Sequence, residues 1–184
     1  MLTPNWTLRR REPNLLAGAV AGLAGGLAAS WIMNQFQAAV PLKSFKTLLG
    51  EAGGKSSGSS SGGESADPAT VQAAEAVSER LLDHELTDDE KDWAGAAVHY
   101  TFGSSAGLVY GLLAEGKPEV TAGLGLPFGA AFWLTVDEGA VPALGLSKAP
   151  WAYPSSVHVY SLVSHLVYGL SAEAVRRLVR SALR

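Results

Sequence analysis

Residues 93–114 read WAGAAVHYTFGSSAGLVYGLLA, 22 residues without Asp, Glu, Lys or Arg, with glycine at 95, 103, 107 and 111. A helix that crosses a bilayer needs about 20 mostly apolar residues. A soluble helix of that length shows a charged face, and this stretch has none over six turns. Three more stretches share the property. Between Glu12 and Lys43 lie 30 uncharged residues, between Glu119 and Asp137 17, and between Lys148 and Glu173 24. The third reaches spanning length with Asp137 and Glu138 near its end. The pattern predicts an all-α protein, a four-helix transmembrane bundle with a short extramembrane amphipathic helix.

The averages conceal this. Over all 184 residues the charged fraction is 17%, the net charge −3 and the mean hydropathy only +0.14. The segment from Lys43 to Asp92 holds 11 of the 17 acidic residues and lowers the mean. The length suits one domain, the acidic balance argues against nucleic acid as a partner, and the absence of cysteine excludes disulfides and thiolate sites. Three regions follow: residues 1–42 with a basic N-terminus and span one, residues 43–92 as an external acidic segment, and residues 93–184 with spans two to four and a basic C-terminus. Arg9, Arg10 and Arg11 before an apolar run with Ala28, Ala29 and Ser30 resemble a signal peptide. The run continues through Trp31, Ile32 and Met33, which favours a retained span. The positive-inside rule puts Arg9–Arg11, Lys117, Arg176, Arg177, Arg180 and Arg184 in the cytoplasm. Both termini then face the cytoplasm of an inner (plasma) membrane.

Within the external segment, residues 53–63 (GGKSSGSSSGG) read as a flexible linker. Asp67-Pro68 reads as a helix start, and Val71, Ala74, Val77 or Ser78, Leu81 and Leu82 form an apolar stripe at helical spacing. Residues 87–90 (TDDE) are a capping box that starts span two.

Small residues four apart recur. Gly18, Gly22 and Gly26 lead to Ser30 and Asn34. Gly103, Gly107 and Gly111 follow Gly95 and His99. Gly125 and Gly129 lead through Trp133 to Asp137. Ser161, His165 and Gly169 follow His158. Such stripes let helix backbones approach closely in lipid. At 1.5 Å per residue from outer ends at Ala39, Trp93, Val141 and Ser155, Asn34 lies about 7 Å deep and His99 about 9 Å. Asp137, Glu138 and His158 lie about 5 Å deep and His165 about 15 Å. All fall in the outer half of the membrane, where ionisable side chains face the bundle or a wet cavity. The expectation is an outward-facing chamber walled by Asn34, His99, Asp137, Glu138, His158 and His165.

Imidazole with carboxylate suits a divalent metal such as zinc or iron, so His99, Asp137, Glu138, His158 and His165 are candidate ligands. The same set suits protons, because histidine titrates near neutrality. Haem fits less well, with no CxxCH and few positions for axial ligands. Polar packing between helices is the plain alternative. Trp6, Trp93, Trp151 and Tyr153 read as interfacial belts, with Pro150 and Pro154 bounding an outer turn. No hydrolase, nucleotide-loop, HExxH or dinucleotide motif is present, so an enzyme is the least supported class.

Three stretches resemble the YagU-type inner-membrane proteins, a family without an established activity. They are residues 14–42, ending AAVPL; residues 99–115, with HxxF and YGLLAE; and residues 127–180, with LGL, APWAYP, HLVYGL and EAVRRLVR. The resemblance implies a four-span membrane protein and singles out His99, His165, Glu173 and Arg176; it implies no activity. The functional expectations are therefore a membrane protein whose His/carboxylate cluster binds a metal ion or protons, a structural or accessory subunit, or an oligomeric proton-linked channel or transporter. The implied partners are the lipid bilayer and either a second copy or another membrane protein.

Overall fold

The computed structural model describes residues 13–49 and 68–183, and every regular element among them is helical. The Gly/Ser linker, Asp67, Trp6, Lys55, Arg184 and Arg9–Arg11 lie outside the described residues. The helices are α1 (Leu15–Ala39), α2 (Leu42–Leu48), α3 (Ala69–Leu82), α4 (Asp88–Gly116), α5 (Leu126–Thr135), α6 (Val141–Ala143) and α7 (Ser155–Ala182). Among the described residues two helical stretches, Leu15–Ala39 and Pro118–Ala143, are long and apolar enough to cross a membrane.

The ends follow local chemistry. Asn14 caps α1, its side chain accepting from Ala17 N at 3.0 Å. Before α4, Thr87 N donates to Glu90 Oε2 at 2.8 Å, closing the capping box. Glu90 is held down to about pKa 2, first by that backbone bond, then by the Thr87 hydroxyl and by His84. The helix after Asp67-Pro68 begins at Ala69, with Pro68 as its cap rather than its first residue. Residues 42–48, at the junction of span one and the external segment and assigned no element above, form α2. Pro41 starts it, and Phe45 packs edge-on against Tyr160 of α7 at 5.3 Å.

The glycine positions meet one another. A Cβ on Gly22 would strike the carbonyl of Gly107, and one on Gly107 the carbonyl of Gly22. Gly18 stands likewise against Gly111, and Gly26 against Gly103. On the far side of the bundle Gly125 and Gly129 meet Gly169 and the carbonyl of His165. Helix α1 thus lies between α4 and α7, and α5 rests on α7. Ala29, Met33, Tyr168 and Ala172 form the core, flanked by Phe128 and Phe132.

The third apolar stretch departs from the single helix expected of it. Residues Pro118–Gly125 form a tight 3₁₀ segment interrupted at Ala122–Leu124, where Gly123 and Leu124 take positive φ (73° and 58°). Helix α5 then runs ten residues to Thr135. A π turn over Val136–Ala140 follows, Val141 N reaching back to Val136 O. Pro142 explains the wide turn: it has no N–H for the Glu138 carbonyl, and its ring crowds that carbonyl in a regular helix. Helix α3 also differs from its expected stripe. It buries Val71, Ala74 and Ser78 against α4 and leaves Val77, Leu81 and Leu82 exposed.

Candidate functional site

The π turn presents two adjacent carboxylates to α7, where His158 and His165 stand two turns apart on one face. Widened turns of this kind often occur at functional sites. Glu138 Oε1 lies 2.6 Å from His158 Nδ1, and His158 Nε2 lies 3.0 Å from the carbonyl of Pro150. That carbonyl only accepts, so Nε2 carries a hydrogen. Nδ1 and the carboxylate then share a second proton at a separation typical of a charge-assisted bond. The 3₁₀ turn Pro150–Ala152 before α7 supplies the fixed acceptor.

Asp137 belongs to a second pair. Ser161 Oγ donates to Asp137 Oδ2. His165 Nδ1 lies 3.7 Å from the same oxygen and donates to Ser161 O at 2.9 Å. His165 itself is buried. Across the bundle His99, on α4, donates from Nε2 to Ser30 O at 3.5 Å.

The six residues expected to wall one chamber therefore divide. A cavity of about 330 Å³ under α3 has His99, Asp137 and His165 in its lining. An adjoining cavity of about 200 Å³ is lined by Asp137, Glu138, His158 and Ser161. Asp137 touches both. Asn34 takes no part: its Nδ2 donates to Tyr100 Oη at 3.3 Å, and it lines neither cavity. The zinc or iron reading meets the same division. Among the described residues no three His, Asp or Glu side chains converge on one point. The donors come as Glu138 with His158 and Asp137 with His165, because adjacent carboxylates on one turn reach histidines seven residues apart.

A polar cluster built on Glu173 and Arg176, two positions the resemblance singles out, lies at the other end of the bundle. Glu173, fully buried, accepts from Arg176 Nε at 2.6 Å and from Arg177 Nε at 2.5 Å. The guanidinium of Arg176 sits 5.8 Å from the ring centre of Tyr110 on α4. Glu115, at the end of α4, accepts from Arg180 Nε at 2.6 Å and from Asn14 N at 3.1 Å. Arg180 holds the Glu115 carboxyl below its ordinary pKa. The spacing of Glu173, Arg176 and Arg177 on one helix was the available signal. Glu115 with Arg180, 65 residues apart, left none.

No curated protein and no solved structure matches the chain. A family model described as a protein of unknown function, DUF1440, matches residues 68–174. That is more than half the chain. It runs from the start of α3 into α7 and includes both histidine–carboxylate pairs and Glu173. The chain belongs to the DUF1440 family, whose function is unknown.

Proposed function

We propose that the chain is a multi-pass inner-membrane protein, its termini cytoplasmic, whose outward-facing histidine–carboxylate pairs bind protons and pass them between two cavities. Support for the membrane comes from an inverted helix. On α1 the buried face is glycine, alanine and Ser30 apart from Met33, while Leu16, Val20, Leu23, Leu27 and Trp31 point outward, 42–76% exposed. In water, five such residues half exposed forgo on the order of 5 kcal/mol, a large share of a domain's stability of roughly 5–15 kcal/mol. In lipid the exposed face loses nothing, and close glycine contact becomes the favourable interaction. The likeness to YagU-type inner-membrane proteins is in keeping with this. Trp93 and Trp151, both well exposed near the outer ends of α4 and α7, suit an interfacial belt.

The observation that carries the proton reading is His158, with an acceptor on each ring nitrogen. Beyond it, Ser161, Asp137 and His165 continue inward to the larger cavity. Histidine-labelled protein in micelles, titrated by NMR, tests the relay. Glu138→Gln is expected to change the titration of His158 and leave that of His165, and Asp137→Asn to do the reverse. Identical curves in wild type and both variants overturn it. A second reading, polar packing alone, is favoured by the local bonds of His99 to Ser30 and of Asn34 to Tyr100. It requires the two substitutions to lower stability without altering either titration.

A further inference from the structure

We propose that the larger cavity is a binding site for an uncharged six-membered ring bearing hydroxyl or carbonyl oxygens, of phenol or quinone type. It names an occupant for the outward-facing site above and rests on that reading. The cavity holds about 330 Å³, at the lower end of the roughly 300–1,000 Å³ common for ligand pockets, which suits one ring with small substituents. One wall is aromatic. Phe102 and Phe132 stack at 5.8 Å with planes 19° apart, and Phe132 lies 5.3 Å from Tyr168. Planar rings pack well against such a surface.

The polar atoms are few and placed together. Ser30 also lines the cavity, only 1% exposed, its hydroxyl without a protein partner and lying against Gly103 of the same lining. Buried hydroxyls are nearly always partnered, and this one lacks a partner among the protein atoms, which a ligand oxygen would supply. His99 and His165 also line it, each with one ring nitrogen already bonded to a backbone carbonyl. Charge decides the ligand class. A cation would be stripped of water in a cavity whose lining is mostly aromatic and aliphatic, where the one carboxylate is already engaged by Ser161. An anion would meet the Asp137 carboxylate. An uncharged oxygen, able to accept from or donate to serine and histidine, meets no such opposition. Ala69, Thr70 and Ala73 of α3 roof the space with small side chains.

The test is calorimetry on purified full-length protein in detergent at one pH, with duroquinone, 2,6-dimethylphenol, p-xylene and benzylamine as probes. Duroquinone or the phenol is expected to bind at least tenfold more tightly than p-xylene and benzylamine. Ser30→Ala should weaken that binding about fivefold to tenfold. Ala73→Trp from the roof, or Val98→Phe from the α4 wall if the first does not fold, should abolish it. No binding to wild type, equal binding of p-xylene or benzylamine, or unchanged binding in a folded cavity-filling variant overturns the proposal. Loss of ring binding with both histidine titrations intact removes this ligand and leaves the proton site. Ring binding with unaltered titrations in Glu138→Gln and Asp137→Asn removes the proton relay instead.

Discussion

Single residues set the sharpest constraints where helix backbones touch. At Gly22 and Gly107 a side chain has only carbonyl oxygen and backbone to displace, so Gly22→Val cannot be absorbed by a rotamer change. Overpacking typically costs about 1–3 kcal/mol and more when backbone must move. We expect Gly22→Val to unfold or to lower the melting temperature in micelles strongly. Gly116→Ala, with nothing within 4 Å of its added methyl, should leave it unchanged. At Glu173 the issue is charge. Removing this carboxylate strands Arg176, itself 8% exposed, without its partner. Breaking a buried pair costs about 3–5 kcal/mol. Glu173→Gln should therefore destabilise the bundle in denaturant titrations by that order, and Arg177→Ala, a half-exposed position, by much less.

At the scale of elements, the start of α4 and the turn after α5 show two ways in which local sequence positions function. The capping box at Thr87 and Glu90 anchors α4 and, through it, the α3 roof, which Lys91 and Glu75 also join at 2.7 Å. Glu90 has its folded pKa depressed from 4.5 to about 2. Its contribution is thus present above pH 4.5 and lost as pH falls toward 2. The protection of amides in the first turn of α4, measured against their intrinsic exchange rate at each pH, should fall across that interval in wild type and stay level in Glu90→Gln. Thr87→Ala should cost about 1 kcal/mol at neutral pH, as loss of a cap does. The π turn works differently. Its two carboxylates sit next to each other in sequence yet serve separate histidines. Pro142→Ala restores the missing N–H, and with it a regular helix. This should disturb the histidine titrations even though no titrating residue is changed.

For the whole molecule, the proposed orientation puts the Pro150–Ala152 turn outside and the Glu115–Arg180 cluster inside. The chain has no cysteine, so single cysteines report topology cleanly. Ser147→Cys should react with an impermeant maleimide on intact cells, and Ser181→Cys only after permeabilisation. The reverse result inverts the orientation, and equal labelling removes the membrane reading. Much of the fold is legible in the amino-acid sequence. Charge-free runs, the small-residue stripes and the Thr87–Glu90 box are local patterns, and helix formation follows local patterns. They suffice for an all-helical chain and for the capped start of α4. The break in the third stretch is written less openly, in Gly123 and Gly125, which tolerate several backbones and name none, and in Pro142, which disrupts a helix without saying how the chain answers. Partnership between helices is not legible at all. That Asp137 pairs with His165 and Glu138 with His158, that Asn34 turns to Tyr100, and that Glu115 finds Arg180 depends on helix rotation and register. By itself the sequence determined that the long charge-free segments are helical, α2 and the break in the third stretch aside, and which faces are small. Only the tertiary structure decided which polar groups meet, because a shift of one residue turns a helix face by about 100° and exchanges every partner on it.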